Sequence, residues 1–471
     1  MNVVFSKWPK KIISSSVAWA LSSALALSAL AQTNAPATVA TNKLPEWITR
    51  PLSIADALNT TLQQNGTILK AKNDLEATYG LVVQTRAFVI PTIQATGVYT
   101  DTDPTAINQF PSSGTNSSVQ AHQSWNAGFR VVQRIYEGGK LGSAIRSARL
   151  TKEQALLQYQ TVIADTLLLT RVAYYDVLLD AQQIVVNEAS VNLLGKELDD
   201  QQRRYKAGTV PRFNVLRAEV AVANARPALI HARNNYRIAK NVLSNLLGYN
   251  LPDYIWEDIP LQLTDQLTAE PYQIDLPAAL MQALEKRTEL AALRKAELLQ
   301  RENVINARSG YQPSVQAFAG YGWQNQQFST DLSQELHGWN VGAQLQWSIF
   351  DGFLTRGQVM QAKALQQKSK TDLDDTARRI ELEVRTAYST FLEAREVLES
   401  QVKVQEQADE ALRLARARAD AGSSTQLDVL DAETSLTQAR STQIQALRDY
   451  DVARARLERA IGQEMIQAAG K

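Results

Sequence analysis

Cysteine is absent from the 471 residues. That gap excludes disulfides, thiolate-bound zinc, iron–sulfur clusters, thiol nucleophiles and acylation of an N-terminal cysteine. Histidine is almost absent too: His122, His231 and His337 stand far apart with no second ligand beside them, and read as solvated surface rather than metal sites. Neither sign of charge dominates, because 49 Lys and Arg face 48 Asp and Glu, so no basic stripe is offered to nucleic acid. Beyond the N-terminus no apolar run approaches the roughly 20 residues that a membrane helix needs, and the mean hydropathy is −0.25. Gly-x-Ser-x-Gly, His-Glu-x-x-His, phosphate-loop and dinucleotide signatures are all missing, and acid pairs such as Asp199-Asp200 and Asp374-Asp375 sit on charged helical faces. No enzymatic activity, cofactor or metal is expected.

What is present begins with an address. Lys7, Lys10 and Lys11 precede an Ala/Ser/Leu-rich apolar run over 12–30, closed by Ala29-Leu30-Ala31. This is the pattern of a secretory signal peptide, 1–31, cleaved before Gln32. The leader holds three Lys and no acid, which takes the remainder of the chain from +1 to −2. A Pro/Thr/Asn-rich lead of low order follows over 32–51.

Laid on itself, the chain repeats. At an offset of 222 residues, Ile54-Ala55-Asp56-Ala57-Leu58 meets Leu276-Pro277-Ala278-Ala279-Leu280, Pro91 meets Pro313 and Tyr99 meets Tyr321. The second copy then loses eight residues, and at 214 Trp125-Asn126 meets Trp339-Asn340, Tyr136-Glu137-Gly138 meets Phe350-Asp351-Gly352, Ala207-Gly208 meets Ala421-Gly422, and Gly248 meets Gly462. The copies span 52–248 and 275–462, joined by a linker over 249–274 that carries Pro252, Pro260 and Pro271, with a short tail over 463–471.

Each copy reads helix, strand, strand, long helix, turn, helix. Trp339, Val341, Ala343, Leu345, Trp347 and Ile349 alternate with Asn340, Gly342, Gln344, Gln346 and Ser348, which puts the apolar groups on one face of a strand. Trp125, Ala127, Phe129 and Val131 repeat the pattern, and Ile93, Ala95, Gly97, Tyr99 and Val315, Ala317, Ala319, Tyr321, Trp323 form the partner strands, each begun through a proline. Strands of about ten residues suit a tilted membrane-spanning sheet. Tyr99, Trp125, Tyr321, Trp323, Trp339 and Trp347 are of the types that sit at a membrane–water interface. The other face is mostly Asn, Gln, Ser and Gly, with Arg130 and Arg134 the charged exceptions, as a wet lining would be. Four strands cannot close a barrel, for which about eight is the minimum, so closure calls for several chains.

The segments 139–206 and 353–421 are free of proline, and Ile380, Val384, Ala387, Phe391, Ala394 and Leu398 step four and three residues along a coiled-coil seam. Leu168, Val172, Tyr175 and Leu179 suggest the same seam in copy one. Each long helix would reach about 100 Å and pack along two shorter ones placed end to end, about 53–87 and 213–247 in the first copy. Pro227 should kink or interrupt its helix.

Together these features resemble the TolC-like outer-membrane efflux family. The resemblance rests on the leader, the doubled unit, the turns Tyr136-Glu137-Gly138-Gly139 and Phe350-Asp351-Gly352, and Ala421-Gly422 followed by Asp428-Val429-Leu430-Asp431-Ala432. It implies a mainly helical chain with transmembrane β-structure, whose duplicated helical hairpins and four strands trimerise into a twelve-stranded β-barrel continued by a periplasmic helical barrel. The implied homotrimer lies in outer-membrane lipid and binds a periplasmic adaptor and an inner-membrane transporter. It serves as the exit duct of a tripartite efflux or type I secretion system. The family's periplasmic tips, where the adaptor docks, fall on Ala207-Gly208-Thr209 and Ala421-Gly422-Ser423. Its acidic pair at the tunnel entrance falls on Asp428 and Asp431, which share a helical face at i, i+3; Thr425 with Asp428 also reads as a capping box. The matching positions in copy one are Asn214 and Arg217. The Tyr and Arg with which family members brace the closed tip are replaced by Ala419 and Ser424, leaving Arg416 or Arg418 as alternatives. The rival reading is a periplasmic adaptor, which also carries a long helical hairpin but only one, flanked by biotinyl-like β-repeats.

Overall fold

The computed structural model describes residues 50–103, 109–112, 115–118, 123–249, 258–325 and 332–463. The leader, residues 32–49 of the lead, the tail from 464, His122 and Pro252 lie outside the described residues.

In the first copy, α1 (Ile54–Gln64) begins where the Ser53 side chain accepts from the Asp56 amide and donates to its carboxylate. After α2 (Gly66–Ala87), Pro91 blocks further helix and β1 (Thr92–Asp101) follows. A small hairpin, β2 (Gln109–Ser112) and β3 (Thr115–Ser118), interrupts the return to β4 (Gln123–Glu137). The chain then runs through α3 (Lys140–Lys206) and returns in α4 (Arg212–Leu246). The second copy repeats this order as α5 (Leu276–Lys286), α6 (Thr288–Arg308), β5 (Ser314–Asn325), β6 (Glu335–Gln346), α7 (Leu354–Asp420) and α8 (Gln426–Ala460).

Four strands form one antiparallel sheet in the order β1-β4-β5-β6, so the hairpins of the two copies meet at β4 and β5. The register aligns Ile93 with Val131 and Ala319 with Val341, and Tyr99 with Trp125, so the alternating apolar residues named above share one face across all four strands. β6 ends at Gln346, so Trp347 and Ile349 lie just past the strand rather than within it. β4 runs further than the alternation indicated, through a bulge between Arg134 and Tyr136 that turns Tyr136 onto the apolar face opposite Val315.

Helices α3 and α7 have 67 residues each, about 100 Å at 1.5 Å per residue. On the sheet side, α2 and α6 pack against α3, and α6 also against α7; on the far side, α4 and α8 take those places. The seam of α7 lies as its spacing indicated: Ile380, Val384, Phe391, Ala394 and Leu398 are buried in a core with Leu290, Tyr450 and Leu457. In α3 the buried arc is centred one residue earlier, on Leu167, Thr170, Arg171, Tyr174, Val177 and Leu178, while Leu168, Val172, Tyr175 and Leu179 lie at its margin. The cause is that α3 has neighbours on both flanks, so its contact surface is wider than a two-helix seam and swings toward the packed middle.

Two departures concern helix continuity. The first short helix of each copy is split, at Asn65 and at Arg287. The Asn65 carboxamide oxygen accepts from the amides of Thr67 and Ile68, while its nitrogen reaches the Leu246 carbonyl at 2.7 Å. Arg287 donates to the carbonyls of Ala460 at 3.2 Å and Arg459 at 3.5 Å. In both copies the residue at the break thus caps the C-terminus of the returning helix, which joins the two short helices end to end. Pro227 interrupts nothing, since α4 continues through it. Pro227 and Ala223 are exposed, so water can take the Ala223 carbonyl that the missing N–H releases.

The segment from residue 258 straps this level. Leu52 pairs with Leu263, Tyr174 donates to the Leu52 carbonyl and the Asp265 carboxylate at 2.9 Å each, and the Tyr450 hydroxyl donates to the Glu270 carbonyl at 2.7 Å.

Candidate functional site

The two ends of the chain's long axis of helices carry different chemistry. At the helical reversals, Gly208 and Gly422 have φ of 76° and 74°. The amides of Gly208 and Thr209 donate to the carbonyls of Tyr205 and Arg204, and those of Gly422 and Ser423 to Ala419 and Arg418. Both are Schellman closures, which satisfy the last carbonyls of a helix at the cost of one left-handed residue. Among the described residues nothing lies within 4 Å of a Cβ built on either glycine. Backbone conformation alone therefore selects glycine here, and the turns are open to a partner.

Asp428 and Asp431 follow the second turn, both exposed. The Asp428 carboxylate accepts from the Ser424 hydroxyl at 2.7 Å, the Thr425 amide at 2.8 Å and the Thr425 hydroxyl at 2.9 Å. The Thr425 side chain in turn accepts from the Asp428 amide, which completes a capping box. Hydrogen bonds from Ser424 and then Thr425 hold the Asp428 carboxyl below the usual carboxylate range. The Asp428 side chain is thus ionised and occupied, whereas Asp431 uses only its backbone carbonyl, which accepts from Ser435. Arg416 lies across from them, but it pairs at 2.9 Å with Glu433, a buried carboxylate of α8. The corresponding turn of copy one carries Arg217, whose guanidinium stands over the Phe213 ring at 5.8 Å.

At the sheet end, Tyr99 and Trp125 are directly paired, Tyr321 pairs with Phe129 and Trp339, and Trp323 pairs with His337. Tyr321 and Trp323 meet edge to face at 4.8 Å. These five predicted aromatics cluster toward the loops that join the strands. Trp347 belongs to the opposite rim, where its indole nitrogen donates to the Tyr311 carbonyl at 3.2 Å. Eight residues separate Trp339 from Trp347, about 27 Å along a strand, or about 20 Å once a strand tilt of about 40° is applied. Between these rims stand Ile93, Val315, Val341, Ala343 and Leu345, with Ile93 73% and Val341 70% exposed in the single chain. An apolar band of that height between aromatic rims comes close to the roughly 25 Å typical of a membrane barrel wall.

The sequence profile of the outer membrane efflux protein family matches residues 57–249 and 279–463. The chain belongs to that family. The match comes twice, once on each copy, and it removes the adaptor alternative. The chain is 22% identical over 413 residues to the outer membrane protein TolC of Vibrio cholerae, covering 87% of this chain and 90% of that protein. It is 28% identical over 299 residues to the alkaline protease secretion protein AprF of Pseudomonas aeruginosa, covering 62% and 60%. Its fold is similar to that of the outer-membrane channel OprN, with a TM-score of 0.74 at 19% identity over 87% of this chain and 90% of that one. As an outer membrane efflux protein the chain is a channel of an efflux or secretion system in the outer membrane, and the family is one of channel components rather than enzymes.

For an efflux protein, residues that sequence reasoning passed over are as telling as those it found. Arg171 of α3 and Glu458 of α8 form a buried ion pair at 2.6 Å, and Arg454 bridges Glu458 at 2.9 Å to Glu270 of the strap at 3.1 Å. Asp451, buried beside them, has its carboxyl pushed up to about 7, by burial first, against the pull of Arg454 and Arg171. Arg459 pairs with Asp165 at 2.7 Å and also with Glu289, and Arg287 pairs with Glu289 at 3.0 Å and Glu383 at 2.9 Å. Charged residues on helices read as solvated surface in a sequence, because most of these partners lie far away along the chain. The local signals were that Arg454 and Glu458 stand four residues apart and Arg287 and Glu289 two. Among the described residues no group of three or more His, Asp or Glu could hold a metal ion.

Proposed function

We propose that three copies of this efflux protein assemble into one continuous duct, with their twelve strands closed into a barrel and their helices forming a tunnel below it. The observation that carries this reading is the sheet itself. Among the described residues each of its outer strands, β1 and β6, has one neighbour and one free edge, over 10 and 12 residues, on a sheet with one apolar and one polar face. An unpaired strand edge in lipid leaves backbone groups unsatisfied at several kcal/mol each. Pairing β6 of one copy with β1 of the next removes every edge.

In this assembly the leader 1–31 is removed after export, the repeats 52–248 and 275–462 each supply one strand hairpin to the barrel and one helical hairpin to the tunnel, and the aromatics Tyr99, Trp125, Tyr321, Trp323, Trp339 and Trp347 mark the membrane interfaces. The reversals Ala207-Gly208-Thr209 and Ala421-Gly422-Ser423 dock a periplasmic adaptor, which connects the duct to an inner-membrane transporter. Asp428 and Asp431 gather as six carboxylates around the axis and select cations at the entrance.

The test is the native mass of the full chain extracted from outer membranes in mild detergent. Three copies per particle support the duct. A monomer in detergent, or a chain that stays in solution without it, overturns it.

A further inference from the structure

On the polar face of the sheet, the described charged residues are Arg130, Arg134 and Glu137 of β4. Arg134 and Glu137 neutralise one another at 3.1 Å. Arg130 has no carboxylate within ion-pair distance among the described residues; its cross-strand neighbours are Gln94 and Gly320. Its guanidinium instead lies 4.6 Å over the ring of Phe318. That ring is itself fixed, because it fills the space above Gly342, where an added Cβ would come within 2.7 Å of it. The arginine is therefore held against the wall by an aromatic platform, exposed, and left with its full charge. A guanidinium is tolerated here only because this face meets water; on the opposite face, near the middle of the apolar band, it would cost about 2–4 kcal/mol.

The geometry points to Arg130 as the residue that sets charge preference inside the barrel. Three copies form a ring of positive charge that draws anionic groups of cargo, such as phosphates and carboxylates, through the outer half of the duct. The inference rests on the trimeric-duct reading above. A low-dielectric wall focuses the field of such a ring on the water inside it. The ring is opposite in sign to the acidic pair proposed at the other end, so the duct would present different charges to cargo at its entrance and exit.

The test is the reversal potential of the full-length protein in planar bilayers under a low-salt potassium chloride gradient. Arg130→Gln should lower the chloride-to-potassium permeability ratio by about two-fold, and Arg130→Lys should preserve it. Inorganic tripolyphosphate added on the barrel side should block wild-type current and lose that effect in Arg130→Gln. Pores of Arg130→Gln with unchanged selectivity and unchanged block overturn the inference, as does an equal shift in Arg130→Lys, which would assign the effect to packing on Phe318. If Arg130→Gln fails to insert, the wild type decides: no block by tripolyphosphate from the barrel side overturns the inference. A preparation that forms no pores at all takes down the duct itself, an outcome distinct from pores of unaltered selectivity.

Discussion

Gly248 and Gly208 share a left-handed backbone, with φ of 76° at each, but not the same surroundings. Around Gly208 there is open space, so alanine would pay only for the dihedral, about 1–2 kcal/mol. At Gly248 an added Cβ would stand 2.2 Å from the Gln64 carbonyl oxygen and 3.1 Å from the Asn65 nitrogen, both backbone atoms that cannot rotate away. That close approach is what lets the end of α4 abut the break between α1 and α2, where Asn65 caps it. Gly248→Ala should therefore destabilise the protein by about 3–5 kcal/mol, against about 1–2 for Gly208→Ala. Thermal unfolding in detergent of the two variants beside wild type checks it; equal losses would mean that the joint adapts and the glycine serves only its dihedral. The same residue shows the limit of a sequence reading. The repeat of Gly248 at Gly462 is visible in the alignment of the copies, but its partners, Gln64 in one case and Lys286 in the other, are visible only in space.

At the scale of elements, the joint between α8, α3 and the strap is held by charge in a buried setting. Asp451 of α8 is faced by Arg171 and Tyr175 of α3, by Arg454 and Glu458 of its own helix, and by Thr268 and Glu270 of the strap. Its carboxyl is raised from 3.8 to about 7, burial being the leading cause. The folded state therefore holds a proton that the unfolded chain releases. The stability this gives is fully present below about 3.8 and is lost as pH rises toward about 7, on the order of 2–4 kcal/mol in total. Asparagine, a neutral isostere, removes the penalty. Asp451→Asn should raise the unfolding temperature clearly at pH 8 and hardly at pH 4, as followed by circular dichroism in detergent. A variant shift that is the same at both values would remove Asp451 from the account of the joint. None of this was legible beforehand, because an Asp in a helix rich in Arg and Glu looks solvated. The seam of α7, by contrast, was legible from Ile380 to Leu398, since a helix facing one groove buries a strict four-three stripe. In α3 the spacing places the stripe one residue late, because packing on two flanks widens it to include Arg171 and Thr170.

For the whole molecule, the capping box and the proposed gate make separable claims on the same two aspartates. Thr425 with Asp428 was readable as a helix start, and Asp428 in the structure is fully used as one, its charge held ionised by Ser424 and Thr425. Asp431 has no such local duty: its side chain is exposed one helical turn further on. If three chains meet around an axis at this level, the ring's pull on a multivalent cation falls when either pair member is neutralised. Only loss of Asp428 should also loosen the start of α8. Asp431→Asn alone should therefore weaken block by a trivalent cation added from the tip side, with the half-blocking concentration rising roughly ten-fold, equivalent to about 1.4 kcal/mol at the ring. It should leave the unfolding temperature unchanged, while Asp428→Asn with Asp431→Asn should weaken block further and lower that temperature. Single-channel recordings and thermal melts on the same preparations read both effects. Unchanged block in the double variant would return both residues to the role of a helix terminus. The duct would then need its entrance closed by other groups, with Arg416 already committed to Glu433 inside its own hairpin.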